Sequence, residues 1–263
     1  MNLRGGWALI RRSLFSYMSQ RGFFWTLTLG WMMAPLVYLF VWTTAAGQGA
    51  IGGYEKGDFA FYYLSMIVIN QFTYPTSHWT VGEFISYGGF SNWLLRPLPV
   101  IYEAIAPDLA LKMVCMPFAL IMVAVLGLVF HPPLAFSTPA VLAFAMALLL
   151  AQFLRFMLAY MLALVAFWTN RADALLGLND TLVFLLAGQV APTALLPGVL
   201  RRMALVLPYR YTLGFPIEVL MGRLGPSEIW AGLGWQAGWL AVVLLLYGLI
   251  WRRGLRRYAA TGG

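Results

Sequence analysis

The chain has 263 residues, of which 62% are hydrophobic and only 10% charged, and its formal net charge is +8. Its charges gather where long apolar runs end; because a charge at the centre of a bilayer costs about 3 kcal/mol or more, this pattern excludes a soluble domain and points to an integral membrane protein. The basic residues cluster beside the apolar runs and not on a solvated face with interleaved aromatics, so membrane lipid is the expected partner and nucleic acid is not.

An apolar crossing takes about 20 residues, so a single domain over 1–263 has room for roughly six. The unbroken apolar run at 141–150 lacks the alternation of a barrel strand, and open sheet edges are not viable in lipid. The predicted fold is therefore an all-α, polytopic bundle.

In chain order, residues 7–20 place Trp7, Ile10, Leu14 and Met18 along one side of a helix, with Arg11, Arg12, Ser16 and Gln20 elsewhere. This is the pattern of an interfacial amphipathic helix; a ragged extension of the first span is the alternative. Arg4, Arg11, Arg12 and Arg21 ahead of an apolar stretch superficially resemble a secretory signal, but the stretch at 23–46 is too long for one. Crossings are expected at 23–46, 59–79, 107–130, 138–168, 174–191 and 229–251, with short turns at 47–57 and 131–137 on the far side. Trp25, Trp42, Trp79, Trp168, Trp230 and Trp251 fall near their ends, where an amphipathic ring is comfortable.

The second span carries a polar patch, Asn70, Gln71 and Tyr74, that either packs helices or lines a substrate path. The connector at 81–99 is too polar to cross and too apolar to be solvated. It reads as a short surface helix broken at Gly88 and Gly89, then an apolar turn stopped by Arg96 and Pro97, presenting Glu83 and aromatic neighbours either to a soluble partner or to the interface. The fourth span is long, about 46 Å at 1.5 Å per residue, so its Arg155 is expected to snorkel to inner headgroups. Asp180, beside Asn179, either pairs with a basic group near the cytoplasmic interface or relays protons. Pro192, Pro197, Pro208, Pro216 and Pro226 prevent one helix from crossing 191–226. Two short re-entrant helices, at 198–207 and from 208–211 to Met221, fit that spacing, and a surface-lying loop is the alternative.

Basic residues give the orientation. The amino-terminal arginines, Arg96, Lys112, Arg171, and Arg252, Arg253, Arg256 and Arg257 fall on one side, against Lys56, Arg201, Arg202, Arg210 and Arg223 on the other. Both termini are expected in the cytoplasm. A phosphate-binding loop is absent, since the two lysines, Lys56 and Lys112, follow Glu55 and Leu111. His78 and His131 stand apart, the lone Cys115 cannot form an internal disulfide, and no paired-Cys, zinc-protease or serine-hydrolase spacing exists. No catalytic or metal site is expected.

Several motifs in order, Gly88 to Pro97, Ala187 to Pro197, 207–211, Pro216-Ile217-Glu218 with Gly222-Arg223-Leu224, and Trp251 to Tyr258, resemble type 2 ABC transporter permeases, nearest the branch that includes viologen exporters. The resemblance covers essentially the whole chain. It implies six transmembrane helices, an amino-terminal interfacial helix, a cytoplasmic coupling helix after the second span, re-entrant helices before the last, and a place in a bacterial inner membrane. It also implies a separate ABC-type ATP-binding subunit that carries ATP and Mg, and a second permease copy or a related permease. By position in the family pattern, Glu83, Phe84, Gly88, Gly89, Leu94 and Arg96 would face the ATPase. Arg4, Arg11 and Arg12 would hold the interfacial helix to headgroups, and Asn70, Gln71 and Tyr74 would face the substrate. The expected cargo is a small amphipathic or hydrophobic compound, with organic cations held by aromatic faces among the options. An ion-coupled transporter or channel depending on Asp180 and a structural membrane protein are the other readings.

Overall fold

The computed structural model describes residues 3–19, 21–133, 138–169 and 172–258. Gln20, turn residues 134–137 and Arg171, used above, lie outside them. The described chain is helical: α1 (Leu3–Ser19), α2 (Arg21–Ala45), α3 (Lys56–Thr73), α4 (His78–Ser86), α5 (Ser91–Leu94), α6 (Tyr102–Phe130), α7 (Thr138–Ala163), α8 (Ala172–Leu186), α9 (Gly198–Val206), α10 (Gly214–Leu220) and α11 (Pro226–Arg257). Short 3-10 turns at Ala46–Gln48, Leu164–Phe167, Thr193–Leu195 and Arg210–Thr212 link them.

Local chemistry sets the ends. At the start of α3, the Glu55 amide donates to Asp58 at 2.9 Å, and Asp58 in turn holds Arg223 at 2.6 Å. α3 stops at Thr73 because Tyr74 precedes Pro75 and takes an extended conformation (ψ 123), as residues before proline do. α6 closes on His131 in the left-handed region (φ 46), just before Pro132 and Pro133. α11 opens with Pro226 at its first turn, where the missing amide costs nothing, and the Gly225 amide donates to Glu228 at 2.8 Å.

α7 is the central helix, packed against α3, α4, α8, α10 and α11, while α1 lies along α6 and α2 along α3. Buried Ala147, Ala151, Ala159 and Ala163 let neighbours approach α7 closely, the usual route to tight helix contacts in lipid. Large apolar side chains such as Ile121 and Leu128 on α6 and Leu245 on α11 stay exposed on the outer helices, a surface suited to hydrocarbon.

Four helical stretches are long and apolar enough to cross a membrane: Leu29–Gln48, Tyr102–Phe130, Thr138–Phe167 and Pro226–Arg257. They match the first, third, fourth and sixth expected crossings. The second and fifth fall short: α3 has 18 residues and α8 has 15, about 27 and 22 Å against a hydrocarbon core of about 30 Å. Trp79, expected to end the second span, belongs to α4. The helix of the third expected crossing, α6, starts at Tyr102 and not at Pro107, and Lys112, counted above among the basic residues of one side, is buried on it. The region at 191–226 holds two short helices, but the second begins at Gly214 because 208–213 forms a turn over Arg210–Thr212. Arg210 is ion-paired with Glu218 there. Neither Lys112 nor Arg210 is therefore a solvated marker of orientation.

Candidate functional site

Two groups of residues stand out, one on the connector and one inside the bundle. In the connector, Phe84 stacks on Trp93 with ring centroids 4.6 Å apart, and the Phe90 amide returns to the Phe84 carbonyl at 2.9 Å. Gly88 turns the chain between α4 and α5 with φ +79. Fully buried Phe90 then meets Trp93, Phe167, Trp251 and Tyr258 edge-on. The Tyr258 hydroxyl donates to the Gly88 carbonyl at 2.8 Å and accepts from the Ser91 amide at 3.1 Å. One aromatic cluster thus ties the connector to the ends of α7 and α11.

The opposite side of the connector is bare. Tyr87 is 83% and Leu95 84% exposed, and Glu83, Phe84, Leu94 and Arg96 are exposed as well. Leaving such apolar side chains in water is unfavourable. Beside them, Trp79, Gly82, Glu83, Ser86, Tyr87, Ala172, Asp173 and Leu176 surround a cleft of about 150 Å³ whose two carboxylates are Glu83 and Asp173.

Glu103, the second residue of α6, is buried and accepts from Arg12 on α1 at 2.9 Å and from Arg96 on the connector. Arg12 and Arg96 are accordingly held by one carboxylate, while Arg4 is exposed and Arg11 stands 5.9 Å from the Phe15 ring. Burial of α1 against α6, with Asp108 nearby, pushes the Tyr17 phenol up to about 12, so it is neutral at any physiological pH.

Inside the bundle, Arg155 on α7 is 5% exposed. Its Nη1 donates to Asn70 Oδ1 at 2.8 Å and Thr73 Oγ1 at 2.9 Å, and its guanidinium sits 5.3 Å from the Tyr74 ring. The expectation that it snorkels to headgroups is incorrect: polar groups of α3 capture it within the bundle. Lys112 is paired with Asp108 at 2.6 Å and bonded to Gln152 at 2.9 Å, and Asp108 also accepts from the Thr76 amide at 3.0 Å. The His78 Nε2 lies 3.7 Å from Asp180 Oδ2. A cavity of about 230 Å³ opens beside Arg155, walled by Trp31, Pro35, Asn70, Tyr74, Arg155, Asp180, Phe184 and Gln189. Asn70 and Tyr74 line it; Gln71 is buried outside it. Among the described residues no group of three or more His, Cys, Asp or Glu side chains is placed to hold a metal ion.

Sequence reasoning missed Glu103, Asp173 and Tyr258 as partners of the connector, and it missed Arg155 as a cavity wall. Glu103 carried a weak signal, a carboxylate seven residues after Arg96. The others meet their partners across long stretches of chain that no local pattern records.

Among the described residues, a helical bundle with four membrane-length apolar helices defines a multi-pass membrane protein. It belongs to the ABC-2 transporter family: the model described as ABC-2 family transporter protein matches residues 29–262. That family supplies the membrane permease subunits of ABC transporters, which normally work with an ATP-binding subunit. Neither curated proteins nor solved structures give a match.

Proposed function

We propose that this chain is the permease subunit of an ATP-driven exporter that moves a small amphipathic or hydrophobic compound out of a bacterial cytoplasm across the inner membrane. On this reading α3 and α8 complete six crossings, aided by the segments that continue them, and both termini are cytoplasmic. The segment holding α9 and α10 dips into the membrane and returns. Two permeases, identical copies or a related pair of the viologen-exporter-like branch, flank the path. ATP and Mg are bound by a separate subunit, and α4 and α5 form the coupling element that docks on it.

The observation that carries the reading is the connector's surface. It exposes Tyr87, Leu94 and Leu95, yet its other side is tied to the ends of α7 and α11 by the Phe90 cluster and the two Tyr258 hydrogen bonds. Such an element transmits a push from a docked partner into the bundle. Glu83 and Asp173 beside it suit a basic side chain of that partner.

The test is detergent co-purification of the tagged chain with its retained proteins and ATPase activity. Recovery of a subunit with a phosphate-binding loop, lost in Glu83→Arg while the permease still inserts, is the expected result. A solitary chain without ATPase activity would overturn it. The buried Asp108–Lys112 pair and the His78–Asp180 contact favour one second reading, an ion-coupled carrier, since such groups inside a membrane serve ion pathways. Under that reading Asp180→Asn abolishes transport without any ATPase.

A further inference from the structure

We infer that the cavity beside Asn70 and Tyr74 binds the carboxylate of a small aromatic or otherwise apolar organic anion, with Arg155 as its counter-ion. Treating that anion as cargo rests on the permease reading above; the binding site itself does not.

The argument begins with charge. Lys112 has Asp108, and Arg210 has Glu218. Arg155 is as deeply buried, but among the described residues no carboxylate stands within 4.0 Å of it, and its hydrogen-bond partners Asn70 and Thr73 are neutral. An uncompensated buried guanidinium costs several kcal/mol, and an ionisable group held inside a membrane bundle marks a functional site by default. Asp180, on the α8 wall, is 35% exposed and turned toward His78, so its compensation acts only at longer range.

Geometry supplies the rest. Both hydrogen bonds leave from Nη1, so neither uses the Nε and Nη2 edge, the fork that grips a carboxylate through two parallel bonds. Trp31, stacked at a tilt on Tyr74 with centroids 4.4 Å apart, lines the cavity with Pro35, Val183 and Phe184, giving an apolar body somewhere to rest. At about 230 Å³ the cavity exceeds the roughly 150 Å³ that admits benzene in an engineered protein cavity, which suits a bicyclic ring. The sign of Arg155 disfavours the organic cation that composition left open.

The experiment measures equilibrium binding of radiolabelled 2-naphthoate, 2-naphthamide and 2-naphthyltrimethylammonium to the full chain in lipid nanodiscs. These probes share a ring and differ in charge. Naphthoate is expected to bind at least about tenfold more tightly than the amide, the scale of one charged hydrogen bond, and the ammonium least of all. Arg155→Gln should erase the preference for naphthoate. Asp180→Asn, which removes a repelling charge from the cavity lining, should tighten naphthoate several-fold. Should Arg155→Gln fail to fold, the wild-type charge series and Asp180→Asn decide. Equal binding of naphthoate and amide, preference for the ammonium, or weaker naphthoate binding in Asp180→Asn would each overturn the site. Uptake into inside-out vesicles with the ATP-binding subunit separates the two claims. Charge-selective binding without ATP-dependent uptake sinks the permease reading alone, and uptake without charge-selective binding sinks the anion site alone.

Discussion

Gly188 shows how a single position holds one wall of the cavity. Its φ of +88 lies where side chains are strained, and a Cβ there would overlap the Tyr62 hydroxyl, which donates to the Gly188 carbonyl at 2.8 Å. Tyr63 and Trp42 both donate to the Val190 carbonyl, at 2.9 and 2.8 Å, so the segment carrying Gln189 is pinned from α2 and α3. Gly188→Ala is expected to destabilise by about 1–3 kcal/mol, seen as a lower midpoint of thermal unfolding in detergent. Gly248→Ala, in a helix with open space around it, should be neutral or stabilising by up to about 1 kcal/mol. Glu103 makes a second case. Glu103→Gln removes the charge shared by Arg12 and Arg96, and because both arginines are partly exposed the loss is discounted to about 1 kcal/mol. Amides of α1 should then exchange about fivefold faster by hydrogen exchange. Sequence alone made Asn70 and Tyr74 candidates because polar residues inside a span are costly, but it sent Arg155 to the headgroups. Helix length permits snorkelling, and only packing reveals that Asn70, 85 residues away in the chain, intercepts the side chain.

At the scale of elements, the apolar helices α2, α6, α7 and α11 were legible because hydropathy over about 20 residues is a strong signal. α3 and α8 were read too long. Pro75 ends α3 where the apolar pattern runs on to Trp79, and the chain leaves α8 after Leu186 and turns at Gly188. The connector was legible as two short apolar pieces around Gly88 and Gly89, yet what stiffens it was not, since Tyr258 is 170 residues from Gly88. Tyr258→Phe tests that stiffening directly. It deletes an accepted and a donated hydrogen bond, each worth about 1 kcal/mol, while the ring can keep its edge contact with Phe90. The Ser91 amide should lose protection against hydrogen exchange by about thirtyfold, with the amides of central α7 unchanged. An equally protected Ser91 amide would mean that the aromatic contacts alone hold the connector.

For the whole molecule the decisive quantity is the number of crossings, because it settles which side of the membrane the connector occupies. If only the four membrane-length helices cross, α3 does not, and everything between α2 and α6 lies on one side. If α3 and α8 also cross, the turn after α2 and the connector before α6 lie on opposite sides, and the connector shares the cytoplasmic side with the amino terminus. Apolar composition cannot separate these cases for α3, since Lys56 and Asp58 at its start lower its hydropathy while Phe59 to Ile69 is almost entirely buried. That burial matters: a helix covered by α2, α6 and α7 needs no lipid-facing surface to cross. The chain has a single, buried cysteine, Cys115, so new cysteines can be read against a quiet background. Gln48→Cys and Asn92→Cys, both at exposed positions, should react with a membrane-impermeant maleimide from opposite sides of intact cells and inverted vesicles. Labelling of both from the same side would remove α3 as a crossing. If that shared side is the outer one, α4 and α5 lie outside the reach of any cytoplasmic ATP-binding subunit, and the coupling role of Glu83 falls with it.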